Sequence, residues 1–354
     1  MPFLPLIGHS ALRARLSSQI DRGALPASLL FQGPPGVGKQ RLALWLGQRL
    51  VCSGESRPCG VCQHCKYALD GVHPDVRWYF PLPRLKNASD VALDDVAAEY
   101  AGVIAERAAS GGLYARADGS QGIYVYVSRL IAQQAVKTPS MATRKIFIVG
   151  DADRMVPQAG SMEAANALLK LLEEPAADTT IILTSSEPGA LLPTIRSRVV
   201  TVRVAPLADA DVRAFLAHPV AADAAGKGAT MDELVRLAHG APGALIGAAD
   251  RGAALARARI LLAAARAGRE QVLRAAFTQG SSKARGTFSD VLEALTVLLH
   301  EDARQAAGRG DVAKAISAAK AVPLVEVAKR AAEGNAIPQL VTAQLLLKLS
   351  EVGA

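Results

Sequence analysis

Large aromatic side chains are scarce in this sequence. Phe, Trp and Tyr supply 4% of the 354 residues, so the apolar half of the composition rests on Ala, Leu and Val. That bias leans toward helix. No apolar run approaches the roughly 18–20 residues that a bilayer span requires. The opening stretch MPFLPLIGHS is short and has no basic flank of the kind a secretion signal carries. The expectation is a cytoplasmic chain with no membrane partner. Long basic runs are missing too: Lys and Arg number 40 against 32 Asp and Glu, but no five basic residues stand together. The excess lies late, with 15 Lys and Arg against 9 Asp and Glu in residues 251–354. Scattered charge reads as solvated helix faces and is weak ground for a polyanion partner. No repeat of fixed period occurs. The length is enough for two or three domains with their own cores.

Cysteine is rare and confined. The chain has four, spaced Cys52-x6-Cys59-x2-Cys62-x2-Cys65. In a cytoplasmic chain, cysteines bunched in this way point to metal rather than to disulfides. Four thiolates satisfy tetrahedral Zn2+ and leave no open position, so the expected metal is structural. His64 and His73 lie nearby, but four sulfurs suffice.

The stretch GPPGVGKQ at 33–40 follows the apolar run ASLLFQ and leads into KQRLALWLGQRLVC. Strand, glycine loop and helix in that order are the setting a phosphate-binding loop needs. Gly33, Gly36 and Gly38 let backbone N–H groups converge on an anion, and Lys39 reaches the outer phosphates. The hydroxyl that normally follows the lysine and holds magnesium is replaced by Gln40, a poorer ligand. A second buried strand, in RKIFIVGDADRM, ends in Asp151, the aspartate that would support the metal. The next place, where a water-activating glutamate belongs, holds Ala152. Asp153, one step further along an extended strand end, would point to the other side.

The rest of the chain alternates buried strands (RKIFIVGDADRM, TTIILTSSEP, VVTVRVAPL) with helices (SMEAANALLKLLEEP and the short LLPTIRSR) as far as residue 206. That alternation predicts a parallel sheet covered on both faces. Residues 86–140 mix an expected helix at 91–109, a loop at 110–122 and a further helix at 125–140. Residues 207–250 read as a small helical unit and 251–354 as a helical bundle.

Taken together, IGHSALRARL, LLFQGPPGVGK, the four cysteines, HPD at 73–75, NALLKLLEEP at 166–175, IRSR at 195–198 and NAIPQLVTAQLLLKL at 335–349 resemble the bacterial clamp-loader subunits of the AAA+ class. The resemblance covers nearly the whole chain. It implies an AAA+ P-loop domain at 1–206 with a zinc module at 52–65, a helical lid at 207–250 and an all-α oligomerising collar at 251–354. Motor subunits of that family hydrolyse ATP, whereas the delta-prime kind is a largely inert wedge that completes the ring. Gln40, Ala152 and Gly243, the last standing where motor subunits carry a nucleotide-sensing arginine, depart from the motor pattern at three corners. The resemblance is therefore closest to the delta-prime subunits of the DNA polymerase III holoenzyme. It implies weak or absent ATP binding, no hydrolysis and no polymerase activity in this chain itself. Arg198 of the Ser-Arg pair at 197–198 would enter a neighbouring subunit's ATP site as an arginine finger, and Thr184 matches the residue that senses the γ-phosphate. The implied partners are gamma/tau motor subunits and a delta subunit in a hetero-oligomeric ring, the sliding clamp, and primed DNA through the assembled complex. Two other readings stand beside this one. An active motor would need Glu173, Glu174 or Asp153 to replace the missing glutamate. A free zinc-containing DNA-binding protein would need a basic aromatic patch that the sequence does not offer.

Overall fold

The computed structural model describes residues 2–85, 91–115, 121–155, 163–226, 229–247, 251–278, 285–333 and 336–353. Parts of the expected 110–122 loop (116–120), of the expected 161–175 helix (161 and 162), of the 86–140 segment (86–90) and of the NAIPQ motif (335) lie outside these residues. The described residues divide into two compact units. One comprises residues 1–225 and 234–247, the other residues 226–233 and 248–354.

The first unit is built on a five-stranded sheet of β1 (Ser28–Gln32), β2 (Val76–Tyr79), β5 (Lys145–Val149), β6 (Thr179–Ser185) and β7 (Val200–Arg203). Its strand order is β2-β5-β6-β1-β7, and every pairing is parallel. A single row crosses it from Trp78 through Ile148, Ile182 and Leu29 to Val200. Each residue of β5 and β6 is buried, as strands covered on both faces must be, whereas edge strand β7 exposes three of its four residues. The covering helices are α1 (Ser10–Asp21), α2 (Lys39–Val51), α3 (Gln63–Leu69), α4 (Leu93–Ala109), α5 (Val125–Ala135), α6 (Glu163–Glu173) and the short α7 (Pro193–Arg196).

Strand β2 is an element that the reading of the sequence passed over. VRWY is only four residues long and sits between the cysteine module and a stretch of mixed character. It pairs with β5 and brings Trp78 and, just beyond it, Phe80 into the core. Inside the 86–140 region a second small pairing joins β3 (Leu82–Pro83) to β4 (Gln121–Gly122), antiparallel.

Helices α8 (Asp209–Leu216), α9 (Pro219–Ala224) and α10 (Met231–Ala238) follow β7. Residues 207–225 and 234–247, most of the expected lid, group with the sheet. Among the described residues the elements of the second unit are helices: α11 (Arg251–Ala267), α12 (Arg269–Phe277), α13 (Arg285–Gly308), α14 (Val312–Glu333) and α15 (Pro338–Glu351). On α11 the buried residues Ala254, Ala258, Leu261 and Ala265 recur at helical spacing and form one packed stripe. Among the described residues no helix is long and apolar enough to cross a membrane.

Candidate functional site

Parallel sheets present their ligand sites at the carboxyl ends of the strands. Here β1, β6 and β5 are neighbours, and their ends deliver the glycine loop, Thr184 and Asp151 to one place. Gly38 is the N-cap of α2 with a left-handed backbone, so Lys39 opens the helix. The Lys39 ammonium is buried. It donates to Gly33 O at 3.0 Å, to Pro34 O at 2.8 Å and to Ser186 Oγ at 2.9 Å. The side chain that would reach a phosphate thus caps the carbonyls of its own loop. Ser186, one residue past β6, is a participant for which the sequence offered no separate signal.

Gln40 has both ends of its amide engaged. Its Nε2 donates to Asp151 Oδ2 at 3.0 Å, and its Oε1 accepts from Trp78 Nε1 at 2.9 Å. The amide packs against Gly150, where a Cβ would fall 2.2 Å from Oε1. One lone pair of this oxygen is committed to the Trp78 indole, and a magnesium ion that drew the amide away would leave a buried donor unpaired at a cost of about 1–3 kcal/mol. Asp151 itself has a left-handed backbone, and its N–H donates to Thr184 Oγ1 at 3.0 Å. Thr184 is fully buried. Burial raises the Asp151 pKa above the usual carboxylate range and neighbouring Asp153 adds to this, with Lys39 and the Gln40 amide opposing.

The backbone is not extended beyond Asp151, as the sequence reading had it. It turns at once into a 3-10 segment, Ala152–Arg154. Ala152 is fully buried, and Asp153 Oδ1 accepts from Ser186 N at 3.2 Å. Glu173 pairs with Arg198 instead of facing the loop, its Oε1 lying 2.5 Å from the guanidinium. The residues at this corner do not fit a metal-bound nucleotide held for attack by water.

Gly243 meets the loop from outside. Its N–H donates to Gly36 O at 2.9 Å, and a Cβ on it would fall 2.8 Å from that oxygen. The turn can dock there only because the residue has no side chain. It uses a loop carbonyl rather than the N–H groups an anion would need. Gly243→Ala should therefore destabilise the chain by about 1–3 kcal/mol, the usual cost of overpacking, as read by denaturant unfolding. An unchanged midpoint would mean that the turn does not dock.

The Arg198 side chain is one-third exposed at the end of α7. Besides Glu173, it donates to Thr194 O at 2.9 Å and to Ser197 Oγ at 3.3 Å.

The four cysteines form a second centre. All are free thiols, and the four sulfurs lie within 4.8 Å of one another. The Cys52–Cys62 and Cys59–Cys65 sulfur pairs are each 3.9 Å apart. Tetrahedral zinc with Zn–S near 2.3 Å requires about 3.8 Å, so the set can hold such an ion. Backbone N–H groups aim at the sulfurs: Gly54 and Cys59 at Cys52, Cys62 at Cys59, and Cys65 at Cys62, all at 3.3–3.4 Å. These contacts favour thiolates. His64 and His73 bond to each other, Nδ1 to Nε2 at 2.9 Å, and not to sulfur. His73 Nδ1 accepts from Asp75 N, so its Nε2 carries the proton given to His64. Burial above all pushes His73 down to about 4; His64 adds to this and Asp75 opposes it. The Asp75 carboxylate receives the N–H groups of Ser140, Met141 and Ala142, each at 2.7 Å, and so pins the turn that feeds β5.

A family model described as DNA polymerase III, delta subunit, matches residues 8–208. That span includes the glycine loop, the four cysteines, Asp151, Thr184 and Arg198. The DNA polymerase III subunit delta' of Pseudomonas aeruginosa is 31% identical over 173 residues, 48% of this chain and 40% of the relative. That of Bacillus subtilis is 30% identical over 193 residues, 54% and 46%. A gamma/tau subunit of Mycobacterium tuberculosis is 30% identical over 198 residues, 55% and 27%. The chain thus spans less than half the length of each of these relatives. A gamma subunit-related protein from Thermotoga maritima aligns over 96% of this chain and 99% of its own, with 17% identity and a TM-score of 0.42. The match of the family model across more than half of the residues settles the affiliation: the chain belongs to the delta' family of DNA polymerase III clamp-loader subunits.

Proposed function

We propose that this chain is a non-hydrolysing member of a clamp loader, one that completes a hetero-oligomeric ring with gamma/tau motor subunits and a delta subunit. In this role it helps load a sliding clamp onto primed DNA, contacting DNA through the assembled complex. The observation that carries this reading is the Gln40 amide, bonded at its two ends to Asp151 and Trp78, at the corner where a motor needs a metal ligand. Ala152 supports it, because a buried methyl group can neither orient nor deprotonate a water molecule. ATP, if it reaches the loop, must displace the Lys39 contacts with Gly33 and Pro34, which accords with weak or absent binding. Arg198 is the residue offered to the neighbour's nucleotide. Cys52, Cys59, Cys62 and Cys65 hold a structural Zn2+ that organises the turn between α2 and α3. The functional division follows the sequence: a nucleotide-site domain at 1–206, a lid at 207–250 and a collar at 251–354.

The gamma/tau likeness favours a second reading, an active motor of the same assembly. Steady-state ATP hydrolysis by the purified chain, with magnesium and with or without primed DNA, separates the two. The expected turnover is no higher than that of Lys39→Ala. Turnover clearly above that control would establish the motor.

A further inference from the structure

Beside Gln40 stands a group that neither the phosphate-loop pattern nor the family resemblance singled out. Arg107, on α4, places its guanidinium carbon 3.3 Å from the ring centre of Phe80, 3.7 Å from that of Tyr114 and 4.8 Å from that of Trp78. The cage is itself fixed. Trp78 packs against Phe80 and Tyr114, and the Tyr100 hydroxyl donates to Phe80 O at 2.6 Å. Trp78 is also the donor that holds the Gln40 oxygen. Arg107 Nη1 is buried with no acceptor among the described residues. What satisfies this cation is the negative face of three rings, an arrangement most favourable where water is excluded.

Trp78 joins the cage to the Gln40 oxygen, and the Gln40 amide nitrogen bonds Asp151, so the cage is linked to the same corner as the aspartate. Burial lowers the Arg107 pKa to about 10, with Tyr114, Asp151 and Tyr100 opposing, and it remains charged at neutral pH. A buried cation opposes a second cation brought near it, and more strongly where the effective dielectric constant is low. In this corner Asp151 Oδ2 takes an amide N–H, Lys39 supplies one positive charge to the aspartate, and the caged Arg107 adds another on the Trp78 side.

We propose that Arg107, caged by Trp78, Phe80 and Tyr114, is a built-in cation that stands in for the divalent metal beside Asp151 and keeps this corner closed to metal–nucleotide. The proposal deepens the non-hydrolysing reading and rests on it. Restoring a hydroxyl at position 40 is then not enough to restore a metal site, because the second positive charge remains.

The test uses the full chain and measures ATP affinity with magnesium and with EDTA, by calorimetry. Gln40→Thr alone should show the same affinity in both. Gln40→Thr with Arg107→Met, which removes the charge but keeps the stem in its aromatic slot, should bind ATP at least about tenfold more tightly with magnesium. Gln40→Thr with Arg107→Lys keeps the charge and should stay metal-insensitive. Arg107→Gln serves as a second uncharged variant, and melting curves identify which variants are folded. Magnesium-dependent tightening in Gln40→Thr alone would overturn the proposal. So would its absence from the folded, uncharged double variants, or equal behaviour of the Lys and Met variants. The non-hydrolysing reading fails by a different result: wild-type turnover above Lys39→Ala.

Discussion

A clamp loader reconstituted with Arg198→Ala should hydrolyse ATP about 10³-fold more slowly at the neighbouring motor site, the low end of what loss of an arginine finger costs. The geometry explains why the loss would fall on catalysis and not on folding. Arg198 is anchored at one nitrogen by Thr194 O and Ser197 Oγ, both on its own turn. Its other nitrogen is held by Glu173, whose side chain is 46% exposed. An exposed pair of this kind contributes about 0–1 kcal/mol. It can therefore be exchanged for a phosphoryl group, whose oxygens match the guanidinium fork better than a single carboxylate oxygen does. Glu173→Ala should leave turnover within a few-fold of wild type, since it removes only the resting partner. Arg198→Lys should recover little, because one ammonium cannot span two oxygens. Normal turnover in the Arg198→Ala complex would remove the finger from the account.

The second large effect concerns the cysteine centre. Structural zinc contributes about 10–16 kcal/mol to the folding of small zinc peptides. In this chain the module is also tied in by the Phe3 N–H bond to Leu69 O at the end of α3. Cys65→Ala should abolish metal retention, measured as one zinc per chain by elemental analysis. It should also open residues 53–61 to rapid proteolysis while α11–α15 keep their helicity. A strong chelator should do the same to the wild-type chain. Acid should act in the same direction, because thiolates must take up protons to release the metal. A chain that contains no zinc after expression in zinc-rich medium, yet resists protease there, would show that the four thiols hold the turn unaided.

The cysteine spacing, the glycine loop and the strand running into Asp151 were legible because each is a local pattern. C-x2-C steps, glycines spaced around a lysine, and an apolar run ending in a carboxylate keep their meaning without knowledge of the rest of the chain. What closes the site was not legible. Trp78 meets Gln40, Arg107 meets Phe80 and Tyr114, and Gly243 meets Gly36 only after the sheet has assembled. Asp153 was misread for a related reason. Its direction was judged from an extended strand, whereas the left-handed Asp151 turns the chain into a 3-10 segment. The three departures from the motor pattern were visible as residue types. Their physical content, an amide bonded at both ends and a glycine docked on a carbonyl, was visible only in three dimensions.

The strand order also governs how this molecule can be made. Leu29 is flanked by Ile182 on one side and Val200 on the other. While β1 emerges from a ribosome, neither neighbour exists, and SLLFQ has no sheet to enter. The ends of a long intervening chain must meet before these pairings repay the entropy of closing it. The first unit therefore cannot close its sheet until synthesis has passed Arg203, and the apolar β1 must meanwhile be shielded by transient helical contacts or by a chaperone.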